Sequence, residues 1–252
     1  MAALIALGAL GALVALLLVQ IQLVRTADYL PDDPGYVVEA DILAGAGGTA
    51  RAPLELVLLG DSTVAGVGAP TVSESLSVLV AQRVAAALDR PVHVVGYGVS
   101  GARTHTVRAE QLPLVAGAPP DALLIVVGSN DATHAAPPWV MRKRTRALLA
   151  DAAEIGAPVV LGGIPEFKTT PAFPQPLRLA VGLYADVLRR VQRDVAAQMG
   201  VGFVNIAAEA SPRFLDDPSS MSADGFHPAP LGYGFWADAL APAVVAAIDE
   251  PR

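Results

Sequence analysis

An alternation along the chain restricts its fold more than any other feature. Short apolar runs at residues 54–59, 92–95, 123–127, 159–161 and 202–205 are separated by helix-length stretches at residues 74–88, 104–112, 139–154, 177–199 and 231–248. Strands apolar on both faces, each followed by a helix, imply a parallel sheet covered on both sides. The expectation is an α/β fold, a three-layer α/β/α sandwich around a central five-stranded parallel sheet. In the fourth helix Leu183, Val187, Val191 and Val195 recur every four residues, which suggests a buried stripe. Open parallel sheets bind ligands beyond the carboxyl ends of their strands, so chemistry is sought just after each run.

The first two dozen residues stand apart. Residues 2–24 carry no charge, and only Gln20 and Gln22 interrupt the apolar run. As a helix it would be about 35 Å long, enough to cross a hydrocarbon core of roughly 30 Å. Residues 1–26 therefore predict a membrane anchor or signal segment. Nothing basic precedes the run and Arg25-Thr26-Ala27-Asp28 is a poor cleavage sequence, which favours a retained anchor. The globular domain is expected outside the cytoplasm, although Arg25, taken alone, formally argues for the opposite orientation. Residues 27–52, with Pro31-Asp32-Asp33-Pro34-Gly35 and Gly45-Ala46-Gly47-Gly48, are turn-rich and predict a linker. Residues 53–252 would form the globular domain.

Composition removes several classes of function. The chain has no cysteine, which excludes disulfide scaffolds and thiolate chemistry. A net charge of −7 argues against a nucleic-acid partner. The basic cluster Arg142-Lys143-Arg144 with Arg146 predicts a solvated helix face. No histidine has metal-ligand spacing, so no metal and no cofactor are expected.

Three stretches carry candidate chemistry. The first strand leads into Gly60-Asp61-Ser62-Thr63, the third into Gly128-Ser129-Asn130-Asp131, and Asp224-Gly225-Phe226-His227-Pro228 opens the last helix. A serine at a strand end can present both its hydroxyl and its backbone N–H. In Asp-x-x-His the carboxylate can reach the neighbouring imidazole and fix its tautomer, leaving the other ring nitrogen to take a serine proton. Taken alone, Gly-Asp-Ser after a strand is often only a turn with a helix cap.

In this order the three blocks resemble the SGNH (GDSL) hydrolase family, and Gly96-Tyr97-Gly98-Val99-Ser100-Gly101 is similar to a further family block, apart from Gly96, where many members have asparagine. The resemblance spans residues 54 to about 240. It implies a flavodoxin-like fold and a serine esterase, with Ser62 as nucleophile, His227 as general base and Asp224 orienting it. The backbone N–H groups of Ser62 and Gly101 and the Asn130 amide would hold the oxyanion. An acyltransferase on the same scaffold, passing the acyl group to a sugar or lipid hydroxyl, would use the same chemistry.

Other residues are weighed individually. Asp61 reads as structural, and Asp131 as support for the loop that aims Asn130. His134 is a candidate for the cleft, His93 for an edge or packed position, and His105 for a helix start. Phe167 and Phe173, in the proline-rich stretch after the fourth strand, are candidates for a substrate wall. Gly96-x-Gly98-x-x-Gly101 also satisfies a dinucleotide-binding fingerprint, a remote alternative because it follows the second strand and the acid Asp121 precedes its own strand. The expected partners are a small-molecule or lipid ester and, through residues 2–24, a membrane.

Overall fold

A computed structural model of the chain describes residues 1–44 and 51–249, so Gly45-Ala46-Gly47-Gly48 lies outside the described residues. The chain opens with helix α1 (Ala2–Arg25) and strand β1 (Val38–Ile42). It then runs through β2 (Leu54–Gly60), α2 (Ser62–Ala65), α3 (Leu76–Leu88), β3 (Val92–Gly98) and α4 (Thr104–Thr106), which continues as helical turns through Leu114. Next come β4 (Ala122–Val126), α5 (Ser129–Thr133), α6 (Pro138–Ala153), β5 (Val159–Gly162) and α7 (Leu177–Met199). The last elements are β6 (Gly202–Val204), α8 (Ile206–Glu209), α9 (Arg213–Asp216) and α10 (Pro230–Asp249).

The sheet order is β1-β3-β2-β4-β5-β6, with β2 to β6 parallel. Among the parallel strands the second lies beside the first and the later ones extend the other way, which is the flavodoxin order. Leu54, Leu56 and Leu58 of β2 point into a core shared with α3 and α10, whereas Val57 and Leu59 point into one shared with α6 and α7. This period-two division gives the three layers. It also puts the switch point at the carboxyl end of β2, where Ser62 begins α2.

Among the described residues the sheet holds the five expected parallel strands and a sixth, antiparallel one. The extra strand, β1, comes from the stretch expected to be linker and pairs antiparallel with β3, Val38 opposite Gly96 and Ile42 opposite Val92. Glu39 and Asp41 on its outer face broke the apolar pattern, because an edge strand needs only one buried face. Those two charges also blunt the sheet edge against further pairing. In α7 the expected stripe is only half buried, with Leu183 exposed and Val191 and Val195 inside. Four residues advance about 40° beyond a full turn, so a strict four-residue repeat drifts around the helix. The buried face instead follows Leu177, Ala185, Leu188, Gln192 and Val195.

Helix α1 is long and apolar enough to cross a membrane, and its large side chains from Leu4 to Leu23 are mostly exposed. One face differs. Leu17, Gln20, Ile21 and Val24, spaced as i, i+3, i+4 and i+7, are partly or fully covered. Gln20 is clamped against the start of α7: its Nε2 donates to the Gln175 carbonyl at 2.6 Å and its Oε1 accepts from the Leu177 N–H at 3.0 Å.

Candidate active site

Ser62 stands where β2 turns into α2. Asp61 caps that helix, accepting from the Thr63 N–H at 3.1 Å and the Thr63 hydroxyl at 2.8 Å. Burial pushes the Asp61 carboxyl upward, and the two Thr63 bonds oppose this. The tight turn depends on two glycines. A Cβ on Gly60 would strike the Val126 carbonyl, and one on Gly98 would strike the Ala65 backbone nitrogen. Gly98 thus lets α2 lie directly on β3. Gly101 meets a different need, a left-handed backbone with φ +76°. Gly96 packs under Val38 of β1. Packing and turn geometry therefore account for each glycine of the fingerprint.

The loop before α10 brings the other groups to Ser62. The Ser62 hydroxyl donates to His227 Nε2 at 3.0 Å, and His227 Nδ1–H donates to Asp224 Oδ2 at 2.6 Å. Asp224 Oδ1 accepts the backbone N–H groups of Phe226 at 2.9 Å and His227 at 3.0 Å, while the Leu30 N–H reaches Oδ2 at 3.3 Å. Burial works to raise the Asp224 pKa, but the bonds from the His227 ring and the two backbone N–H groups outweigh it and hold it at about 2. Asp224 is therefore ionised throughout the neutral range.

Asn130, in the first turn of α5, donates its Nδ2 to the Ala102 carbonyl at 3.1 Å, and both Asn130 and Gly101 border the same cavity as Ser62. Among the described residues, neither the Ser62 nor the Gly101 backbone N–H donates to a protein acceptor. Asp131 is fully buried and binds the Thr104 N–H and hydroxyl, both at 2.8 Å, and Arg144 at 3.0 Å. It thereby ties α4, α5 and α6 together behind Asn130. Arg144 departs from the solvated face expected of its cluster, because the buried carboxylate recruits it.

Two cavities flank the serine. A narrow one of about 40 Å³ is lined by Ser62, Asn130, Phe167, Trp236 and His227. A wider one of about 310 Å³ runs past Ser62, Gly101, Asn130 and His134 to Phe173, Phe226, Leu177, Val181, Ile21 and Val24. His134 borders the wider one, its Nδ1 2.8 Å from the Asn130 carbonyl oxygen. Phe167 and Phe173 are both buried, stacked at 5.8 Å within a cluster that includes Phe226. They back the cavities as packed core more than as an open wall. His93 pairs with Asp41 across the sheet edge at 2.8 Å, and His105 lines neither cavity beside Ser62. Among the described residues no cluster of acids and histidines is arranged to hold a metal.

Several residues at the site carried no readable sequence signal. The buried Gln111 amide bonds both the Gly60 N–H and its carbonyl, each at 2.8 Å. The buried Gln192 accepts the Ile164 N–H at 3.0 Å and donates to the Val127 carbonyl at 2.8 Å. Both glutamines fasten strand ends that carry site residues. Phe226 packs edge-on to His227 at 5.0 Å, and only its place inside Asp-x-x-His hinted at it.

A hydroxyl, an imidazole and a carboxylate in line, at the carboxyl end of a parallel sheet, form the type of constellation found in nucleophilic acyl hydrolases. The chain belongs to the GDSL-like Lipase/Acylhydrolase family, whose profile matches residues 58–235. A GDSL-like esterase of Mycobacterium tuberculosis is 31% identical over 208 residues, which span 78% of this chain and 63% of that protein. The structure is similar to that of TesA, with 26% identity and a TM-score of 0.61 over 77% of this chain and 99% of TesA. The lipase/acylhydrolase from Enterococcus faecalis shares the fold at 22% identity and a TM-score of 0.61, covering 77% of this chain and 96% of that one.

Proposed function

We propose that the chain is a serine esterase that hydrolyses carboxylic esters through an acyl-enzyme at Ser62. The observation that carries this reading is the unbroken relay from Ser62 Oγ through His227 to Asp224, with spacings of 3.0 and 2.6 Å. Membership in a lipase/acylhydrolase family supports the same chemistry. Ser62 Oγ attacks the ester carbonyl carbon while its proton passes to His227 Nε2. The developing oxyanion accepts from the backbone N–H groups of Ser62 and Gly101 and from the Asn130 amide. Collapse breaks the bond to the leaving oxygen, which takes the proton from His227 and departs as the alcohol. Water then adds to the acyl-serine by the same proton route and releases the acid. Asp224, ionised across the working range, holds the Nδ1–H tautomer and stabilises the imidazolium.

Helix α1, uncharged up to Arg25, supports retention at a membrane, since its exposed apolar side chains have no solvent match in water. The test is labelling with a fluorophosphonate probe together with Ser62→Ala. Wild type should carry the label on Ser62, and the variant should lose both label and ester hydrolysis while keeping its thermal transition. Labelling at Ser100 or Ser129 would overturn the assignment.

A further inference from the structure

The wider cavity beside Ser62 is not built by the α/β body alone. Ile21 and Val24 of α1 form part of its wall, facing Leu177 and Val181 of α7 and Phe173. Gln20, one turn earlier on the same face, fixes α1 to the start of α7 through its two hydrogen bonds. The apolar end of the cavity is therefore closed by the last turns of the helix whose earlier turns are apolar on every side.

Helix length then sets the distance to a bilayer. Residues 2–19 lie before the Gln20 clamp and make about 27 Å of helix, against a hydrocarbon core of roughly 30 Å. A spanning α1 leaves no spacer, so the membrane surface must come down to about the level of Gln20. Ile21 and Val24 follow within about 6 Å along the axis. Exposed apolar side chains also lie on neighbouring elements. Leu179 and Leu183 are exposed on α7 beside the clamp, and exposed Trp139 opens α6 near Ala136, whose carbonyl binds Tyr184 of α7 at 2.7 Å. Tryptophan favours the membrane–water boundary.

We propose that α1 is a specificity-determining wall as well as an anchor, and that the wider cavity receives the long apolar chain of an ester drawn from the membrane that α1 spans. This rests on the esterase reading of Ser62 and adds the source and shape of the substrate. At about 310 Å³ the cavity lies in the range of ligand sites. The narrow cavity of about 40 Å³, which also borders Ser62 and His227, has room for only a small group.

The experiment uses the full chain in phosphatidylcholine vesicles and two homologous series, p-nitrophenyl acetate to decanoate and ethyl to decyl acetate. One series should climb in kcat/KM by about fourfold per added methylene until the cavity is filled. The series that climbs shows whether the acyl or the alcohol chain occupies the cavity. Val24→Trp and Ile21→Trp should each lower the long-to-short ratio at least tenfold, and turnover of the short ester by either variant shows that it is folded. A flat wild-type response in both series, or an unchanged ratio in the variants, overturns the wall while Ser62 labelling leaves the esterase reading standing. A chain found without residues 1–25 in its mature form also overturns it. Absence of hydrolysis and of labelling at Ser62 sinks the esterase reading and this inference with it.

Discussion

The carboxamide of Gln111 binds both the N–H and the carbonyl of Gly60, two residues before Ser62, in a fully enclosed setting. It acts as a short mimic of a strand partner at the end of β2. The local wide helical turn Val107–Gln111 brings it there, a departure from regular α-helix of the kind that gathers at functional sites. Gln111→Leu keeps the bulk but leaves the buried Gly60 N–H without its partner, at about 1–3 kcal/mol, while the Gly60 carbonyl keeps the Val99 N–H at 3.1 Å. Chemical denaturation should show that loss. Turnover should fall by on the order of 10- to 100-fold, because a small displacement of a nucleophile is costly.

Asp224 gives a prediction with a defined pH window. Its folded pKa of about 2 lies below the ordinary carboxylate value of 3.8, so the carboxylate stabilises the fold above the unfolded value. That contribution, on the order of 2 kcal/mol, is fully present above pH 3.8 or so and is lost as pH falls through about 2. Asp224→Asn should flatten the acid arm of a stability-against-pH curve between those limits. It should also lower kcat by about 10⁴-fold at neutral pH, since the amide no longer enforces the Nδ1–H tautomer. An unaltered acid arm would show that Asp224 does not hold the charge assigned to it.

Gly98 and Gly101 separate two meanings of glycine within one motif. Gly98→Ala would put a methyl against the Ala65 backbone, and overpacking there should cost about 1–3 kcal/mol and displace Ser62. At Gly101 a Cβ meets nothing within 4 Å, and only the φ of +76° resists it. Gly101→Ala should therefore cost about 1–2 kcal/mol, keep its N–H and retain most activity. Neither NAD nor NADP should raise the melting temperature of the wild type, which checks the dinucleotide reading directly.

The parts of this molecule legible in sequence are those where one residue type had one physical job. The apolar runs beginning at Leu54, Val92, Val159 and Gly202 begin strands β2, β3, β5 and β6, because strands buried on both faces admit little else. Ser62, Asn130, Asp224 and His227 were readable because their chemistry restricts residue type and the sheet restricts their place. Ser62, Asn130 and His227 border one cavity, and Asp224 lies behind it on His227 Nδ1. Gln111 and Gln192 were not readable, since a buried glutamine and a surface one look alike until the strand ends they fasten are known. β1 was hidden by Glu39 and Asp41, and the seat of α1 by Gln20, which read as an interruption of an apolar run.

The position of β1 decides where the chain can be shortened. A protein beginning at Arg51 would lose the stretch once read as linker, and with it the whole β1–β3 ladder. Val38, almost fully buried, covers Gly96, and Ala40 and Ile42 pack on the core shared by α3 and α10. Removal would expose that apolar surface and leave the β3 edge unpaired, an invitation to intermolecular pairing. Tyr36 would go too, and its hydroxyl donates to the Gly66 and Ala69 carbonyls at 2.9 and 3.0 Å, bracing the loop after Ser62. A protein beginning at Ala27 keeps all of these contacts and loses only α1. The longer version should remain monomeric with a single cooperative transition, whereas the shorter one should melt several degrees lower and aggregate on size-exclusion chromatography. Equal melting temperatures for the two would mean that β1 is an ornament of the sheet and not part of its core.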